Sequence, residues 1–322
     1  MLEKYIDARS KLEKYRDLVK AREDVTNLSN PELKEYTGER IIIMICSACN
    51  INCKHCYISY TGNRTPEDLI TMVSHLKDKY TIELNGAEIL TNLDYLPAYK
   101  LLGQHFLISN GKAILDNPET IEKLKENDIS TVSLSYHFGI QDKMSIISEE
   151  GLNQIIKKLQ DNDIEVRLMT TINSDNYDRI IEMCDRASEL GARAIKFTKY
   201  IAQGNALDLD SNQKLQDYQV ETFFEQIGEA RNKYNKEDLL IERCGTFGKN
   251  TAVKKDNFEC VCINRSVVIT PDNSIYPCVF LAKPGYEIGK YIDGKILIQP
   301  DLCHNSEKCL TDEICNKTYV KY

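Results

Sequence analysis

The chain has no apolar run approaching the length of a membrane-spanning helix, which excludes a helical membrane span. It has no excess of positive charge: 41 Lys and Arg stand against 49 Asp and Glu, a net charge of −8 with neutral histidines. No general electrostatic argument therefore favours nucleic acid or an anionic membrane as partner. No internal repeat or low-complexity tract is present, and a composition of 42% hydrophobic and 28% charged residues excludes disorder, collagen and coiled coil as descriptions of the whole. The first residues, MLEKYIDARSKLEKYRDL, are too charged for a signal peptide, so the expected location is cytoplasmic. Against these absences stands an abundance of cysteine, twelve in 322 residues. In a reducing compartment such a count points to metal or iron–sulfur ligation rather than to disulfides.

The distribution of apolar residues predicts a three-part chain. Residues 1–40 read as an N-terminal helical extension. From 41 to 238, strand candidates at 41–45, 80–84, 105–109, 130–135, 164–171 and 194–198 alternate with helices at 66–78, 117–127, 148–160 and 175–190, and a long helix covers 213–236. Six strand-plus-helix repeats in roughly 160 residues predict an α/β fold, a mostly parallel sheet with helices on its outer face. Residues 239–322 change texture to short segments, turns and seven cysteines, with a hairpin at 265–280 turning at Asp272-Asn273.

The first cysteine cluster reads CSACNINCKHCY, and Cys49, Cys53 and Cys56 follow the first strand at a C-x3-C-x2-C spacing. So short a loop can bring three thiolates to one face of a four-iron cube while leaving the fourth iron without a protein ligand. An iron with an open position can chelate a small molecule and pass it one electron. A four-thiolate zinc site that includes Cys46 has plausible spacing as well. Cys46, at the end of the strand, reads more naturally as a small buried residue, and so does Cys184 on the 175–190 helix.

This loop resembles the signature of the radical S-adenosylmethionine (SAM) superfamily, and the likeness extends over about residues 41–200. It implies a partial (β/α)6 TIM-like barrel, a [4Fe-4S] cluster with an open iron site on Cys49, Cys53 and Cys56, and SAM as cosubstrate. Asn50 and Tyr57 match peptide- and protein-modifying members, and Tyr57 is implied to lie at the cofactor. LNGAEIL (84–90) is similar to the family's Gly-Gly-Glu-Pro element, so Gly86, Ala87 and Glu88 are implied near the SAM amino group; the alternative for Glu88 is a capping or surface carboxylate. Ser109 and Asn110 match the family's Thr-Asn-Gly segment. Ser135, at the end of strand four, is an implied SAM contact or a strand-end side chain that satisfies backbone. Arg167, in an otherwise apolar strand, needs an anion: the cofactor by resemblance, or an internal carboxylate. Gln203 and Gly204 fall where relatives approach the adenosine and substrate. His137, beyond Ser135, is a substrate contact, a proton-transfer group or an idle loop histidine.

The run CINRSVVITPDNSIYPCVF resembles the auxiliary-cluster segment of the SPASM and twitch branches, with Asn273 in place of the usual turn glycine. It implies a C-terminal domain with at least one auxiliary [4Fe-4S] cluster, drawn from Cys260, Cys262, Cys278, Cys303, Cys309 and Cys315. The tail has C-x5-C-x5-C where a full SPASM domain has C-x2-C-x5-C-x3-C, which favours a single or abbreviated cluster; a zinc ribbon is the competing reading. Cys244 is a further ligand or a hydrogen-atom donor. The implied function is a 5′-deoxyadenosyl radical enzyme that oxidises, cross-links or epimerises a precursor peptide, reduced by a flavodoxin- or ferredoxin-type donor. The alternatives are a dehydrogenase or epimerase of a small alcohol or aminoglycoside, a sulfatase-type protein maturase, and a non-enzymatic iron–sulfur scaffold.

Overall fold

In the computed structural model, residues 33–208, 213–244, 247 and 265–299 are described. Seven segments of the chain between residues 40 and 243 are parallel strands: β2 (Arg40–Met44), β3 (Thr81–Asn85), β4 (Phe106–Ser109), β5 (Thr131–Ser135), β6 (Glu165–Ile172), β7 (Ala194–Lys199) and β8 (Leu240–Arg243). The first six fall on the expected runs. The seventh joins the edge of β7 beyond residue 238, with Ile195 opposite Ile241.

Hydrogen bonding divides the strands into two sheets, one in the order β4-β5-β6-β7-β8. The other runs β1-β12-β11-β10-β9-β2-β3, where β1 is Lys34–Glu35, β9 Ser266–Ile269, β10 Ser274–Tyr276, β11 Gly289–Ile292 and β12 Lys295–Ile298. The hairpin expected at 265–280 is present as β9 and β10, and Asn273 adopts φ +66° at its turn. Its first strand also lies parallel to β2, Val267 opposite Ile41, so the C-terminal segment extends the barrel sheet beyond its first strand.

The helices follow from local chemistry. Helix α1 (Pro66–Leu76) starts where Thr65 Oγ1 accepts the Asp68 N–H at 3.1 Å and proline occupies the first turn. Its Leu69, Met72, Val73 and Leu76 recur at helical spacing and are buried. Two short helices, α2 (Leu96–Leu102) and α3 (Lys112–Asp116), precede α4 (Glu119–Glu126) and α5 (Gln141–Met144). Helix α6 (Glu149–Gln160) is capped by Ser148 and buries Leu152, Ile155, Ile156 and Leu159. Helix α7 (Ile180–Glu189) begins later than the expected residue 175, because Asn173 Oδ1 accepts the Asp175 N–H and Asn176 Oδ1 accepts the Asn173 N–H. These side-chain turns compete with the helix. Helix α8 (Asp217–Lys233) completes the set.

Strand alternation decides what faces the site. Along β6, Val166, Leu168, Thr170 and Ile172 are buried, whereas Arg167, Met169 and Thr171 are part-exposed on the opposite face. The buried set joins one continuous core with the helix faces. The other face carries Ser133 level with Arg167, Ser135 level with Met169, and Thr171 level with Thr198. A smaller apolar cluster of Met44, Tyr60, Val268, Tyr276 and Ala282 sits where the returning hairpin meets β2.

Candidate functional site

The three cysteines lie on the loop that leaves the carboxyl end of β2, and its base is fastened before the first of them. The backbone N–H groups of Ser47 and Ala48 both donate to Asn63 Oδ1 at 3.1 Å, and Tyr60 donates its hydroxyl to the Cys46 carbonyl at 3.2 Å. Ala87 and Glu88 donate their backbone N–H groups to the carbonyls of Cys46 and Ala48, zipping the loop after β3 against it. Gly86 keeps that seam close, since a Cβ there would lie 2.8 Å from Ile89 Cδ1 and 3.2 Å from Cys46 Sγ and would push these side chains aside. Cys46 itself is buried, with its thiol directed at the carbonyls of Glu88 and Ala48. Its expected role as a small buried residue is what the structure shows.

The far side of the loop is held by the segment after β7. Gln203 Nε2 donates to the Tyr57 carbonyl at 3.1 Å, and Asn205 Nδ2 to Asn52 Oδ1 at 2.6 Å and to the Cys53 carbonyl at 3.2 Å. Gly204, at φ +59°, passes so close that a Cβ would stand 2.6 Å from the Ile58 carbonyl oxygen and 2.7 Å from that of Cys56. Gln203 and Gly204, expected to approach adenosine and substrate, are placed against the cysteine loop itself.

Glu88 is 1% exposed and joins three loops. Its Oε1 accepts the Ser109 hydroxyl at 2.8 Å and the Leu90 N–H at 3.1 Å, and its Oε2 accepts the Asn110 N–H at 2.7 Å. Burial raises its pKa, and the three donors only partly offset the rise. The Asn110 amide in turn donates to Cys49 Sγ at 3.5 Å and to Asn50 Oδ1 at 2.9 Å.

Cys49 is exposed, and Cys53 and Cys56 are half-buried. Burial pushes the Cys53 thiol up to about 12, and the neighbouring Cys49 and Cys56 add to the shift; burial raises Cys49 as well. Among the described residues, no three His, Cys, Asp or Glu side chains are placed to hold a single metal ion. A cube takes each thiolate on a separate iron, so three thiols spread over one short loop fit it. A metal centre also stabilises the thiolates that burial alone disfavours.

Tyr57 packs its ring on Phe280 at 4.9 Å between centroids; burial is the main cause that raises its hydroxyl pKa, and Cys56, Cys244 and Cys278 add to it. Cys244 follows β8 and donates its backbone N–H to the Phe197 carbonyl, and Cys278 precedes the turn carrying Phe280. These two cysteines thus flank the barrel loop. Cys260, Cys262, Cys303, Cys309 and Cys315 lie outside the described residues. Arg167 is paired with Glu242 of β8 at 3.1 Å, the internal carboxylate that its sequence context left open, and both side chains stay partly exposed on the site face. Ser135 occupies the same face, part-exposed.

His137 is 2% exposed, with neither ring nitrogen hydrogen-bonded, and packs edge-on to His55 at 4.3 Å between centroids. Burial holds its pKa well below the histidine range and that of His55 at about 4; the Met144 carbonyl, 3.1 Å from His55 Nδ1, only partly offsets the shift of His55. The loop after β5 therefore lies against the cysteine loop, and His137 is a buried residue rather than an exposed one. Asn63, Asn205 and Phe280 were not singled out by sequence; lone asparagines and a lone phenylalanine carry no spacing signal.

A parallel α/β sheet with a three-cysteine loop at the carboxyl end of its first long strand, clamped by the loops of its neighbours, is the barrel architecture that the sequence resemblance implies. No protein-family model matches the chain. The sporulation killing factor maturation protein SkfB of Bacillus subtilis strain 168 is 25% identical over 233 residues, 65% of this chain and 54% of that protein. The chain thus spans about half the length of this curated relative. Among solved structures, SuiB of Streptococcus suis bound to precursor peptide SuiA matches with a TM-score of 0.63 at 17% identity, over 94% of this chain and 70% of that one. Native anSMEcpe with bound AdoMet matches with a TM-score of 0.60 at 16% identity, over 86% and 87%. These structural likenesses establish the fold. The cysteine loop and the SkfB similarity agree with that fold.

Proposed function

We propose that this protein is a radical SAM enzyme that modifies a precursor peptide. The observation that carries the reading is the Cys49, Cys53 and Cys56 loop, fixed on both sides by backbone and amide hydrogen bonds. The peptide substrate is supported by SkfB, a maturation protein by name, and by SuiB, whose structure was solved with its precursor peptide. When bound, the cluster supplies one electron and SAM supplies a 5′-deoxyadenosyl radical that takes a hydrogen atom from the substrate.

The chain's own residues do the rest. Cys49, Cys53 and Cys56 hold the cluster; Gly86, Ala87 and Glu88 shape the wall beside it; Ser135 and the Arg167–Glu242 pair line the uncovered face where SAM is proposed to lie. Tyr57 and Phe280 close the side toward Cys244 and Cys278. The buried contacts of Glu88, His137 and Tyr60 exclude water from the base of the loop. Residues 239–322 are proposed as the auxiliary-cluster domain, with Cys278 and the cysteines outside the described residues as ligands and Cys244 as a ligand or hydrogen-atom donor. The electron donor is proposed to be flavodoxin- or ferredoxin-like. Among the described residues, no helix is long and apolar enough to cross a membrane.

The test is a product assay: anaerobically reconstituted protein, reductant, SAM and short peptides encoded beside its gene, read by mass spectrometry. Loss of two hydrogens identifies oxidation or cross-linking, and an unchanged mass with an altered stereocentre identifies epimerisation. SAM cleavage that no peptide stimulates, but a small alcohol does, overturns the peptide reading. Replacing Cys49, Cys53 and Cys56 together by alanine removes about four irons per chain.

A further inference from the structure

We propose that the side-chain amide of Asn110 is a hydrogen-bond donor to the Cys49 ligand sulfur and sets how readily the centre held by Cys49, Cys53 and Cys56 takes up an electron. The proposal rests on the radical SAM reading of those three thiols and assigns a positioning residue to it.

The orientation of this amide is fixed by the chain. Asn110 Oδ1 accepts the Lys112 backbone N–H at 2.8 Å. A backbone N–H only donates, so the oxygen is pinned on that side and the NH2 group faces the other way. There one hydrogen goes to Asn50 Oδ1 at 2.9 Å and the other to Cys49 Sγ at 3.5 Å.

The backbone behind the amide is equally constrained. The Asn110 N–H is held by the buried Glu88 carboxylate, and Ser109 Oγ donates to the same carboxylate while accepting the Gly111 N–H at 2.9 Å. Gly111 turns at φ +83°, where a Cβ would stand 2.9 Å from Ile155 and 3.1 Å from Leu134, so the chain folds back tightly and returns the Asn110 side chain toward β2. Asn110 is 8% exposed. The donor is thus set in place from two loops, after β3 and after β4, and of the three thiols only that of Cys49 receives it among the described contacts.

Reduction of an iron–sulfur centre adds negative charge that spreads onto its sulfur ligands. A hydrogen bond to a ligand sulfur stabilises the reduced state more than the oxidised one and raises the midpoint potential. The amide moves no proton and touches no substrate; its effect is on the potential, so it is measurable without turnover.

The experiment is an EPR-monitored redox titration of the anaerobically reconstituted full chain, wild type against Asn110→Ala and Asn50→Ala. Asn110→Ala with full iron content is expected to lower the one-electron reduction equilibrium constant roughly tenfold, a midpoint about 59 mV more negative. Asn50→Ala keeps the sulfur-directed donor and is expected to stay within about twofold of wild type. An Asn110→Ala protein with full iron and the wild-type midpoint overturns the proposal. If Asn110→Ala takes up no iron, wild type labelled with 15N in the side-chain amide of Asn110 alone decides: nitrogen hyperfine coupling to the reduced cluster upholds the proposal, and its absence overturns it. A wild-type chain that assembles no cube overturns the radical SAM reading itself, and this inference with it.

Discussion

His55 and His137 show how burial shapes the site residue by residue. Both imidazoles sit against the cysteine loop as neutral rings, His55 with its pKa lowered by burial to about 4 and His137 held by burial well below the usual histidine value. A folded-state pKa below the unfolded value means that the folded protein binds fewer protons at mildly acidic pH. The stability these groups contribute is complete above about pH 6.5 and is lost as pH falls toward the folded values. For His55 the loss is at most about 3 kcal/mol. In cluster-free protein, denaturant melts between pH 7 and 4 should show an acid limb, and His137→Phe, which keeps an edge-on ring against His55, should make it shallower. An identical acid limb in the variant would show that His137 is not among the groups responsible.

The strands and helices show which parts of the fold have local signals. The six strands from 40 to 199 were legible because each is an apolar run bounded by turn residues, and α1 and α6 because a capping side chain precedes an apolar stripe. Helices α2 and α3 were missed: they span 7 and 5 residues, and neither has a side-chain N-cap bond. The pairing of β9 with β2 joins residues over 200 positions apart, which no local pattern encodes. Within the site, spacing singled out the three cysteines, whereas the packing of the post-β7 segment against their loop, through Gln203, Gly204 and Asn205, has no local signal. That clamp predicts the effect of Gly204→Ala. A Cβ at φ +59°, 2.6 Å from a carbonyl oxygen, should cost about 1–3 kcal/mol and shift the Cys53–Cys56 loop. The measurements are thermal melting and iron bound per chain after reconstitution. Wild-type values for both would contradict the clamp.

At the scale of the whole molecule, Arg64 joins the barrel to the C-terminal hairpin. It is 6% exposed, donates to Asn273 Oδ1 at 2.7 Å and to the Thr270 carbonyl at 2.5 Å, and its own carbonyl accepts the Tyr95 hydroxyl. Arg64→Met leaves these acceptors without their donor and should cost about 2–4 kcal/mol of unfolding free energy in denaturant melts; a cost near zero would show that the hairpin docks without it. Through this tie, β9 extends the sheet that carries the cysteine loop, and Cys278 is brought beside Tyr57. The proposed function has one central requirement: the three thiols of that loop must leave an iron open to SAM. EPR of the reduced, cluster-loaded protein, recorded with and without SAM, tests it most directly. The account predicts a changed signal when SAM is added, and loss of both cluster and change when Cys49, Cys53 and Cys56 are replaced. A loaded cluster whose spectrum is identical with and without saturating SAM would contradict it.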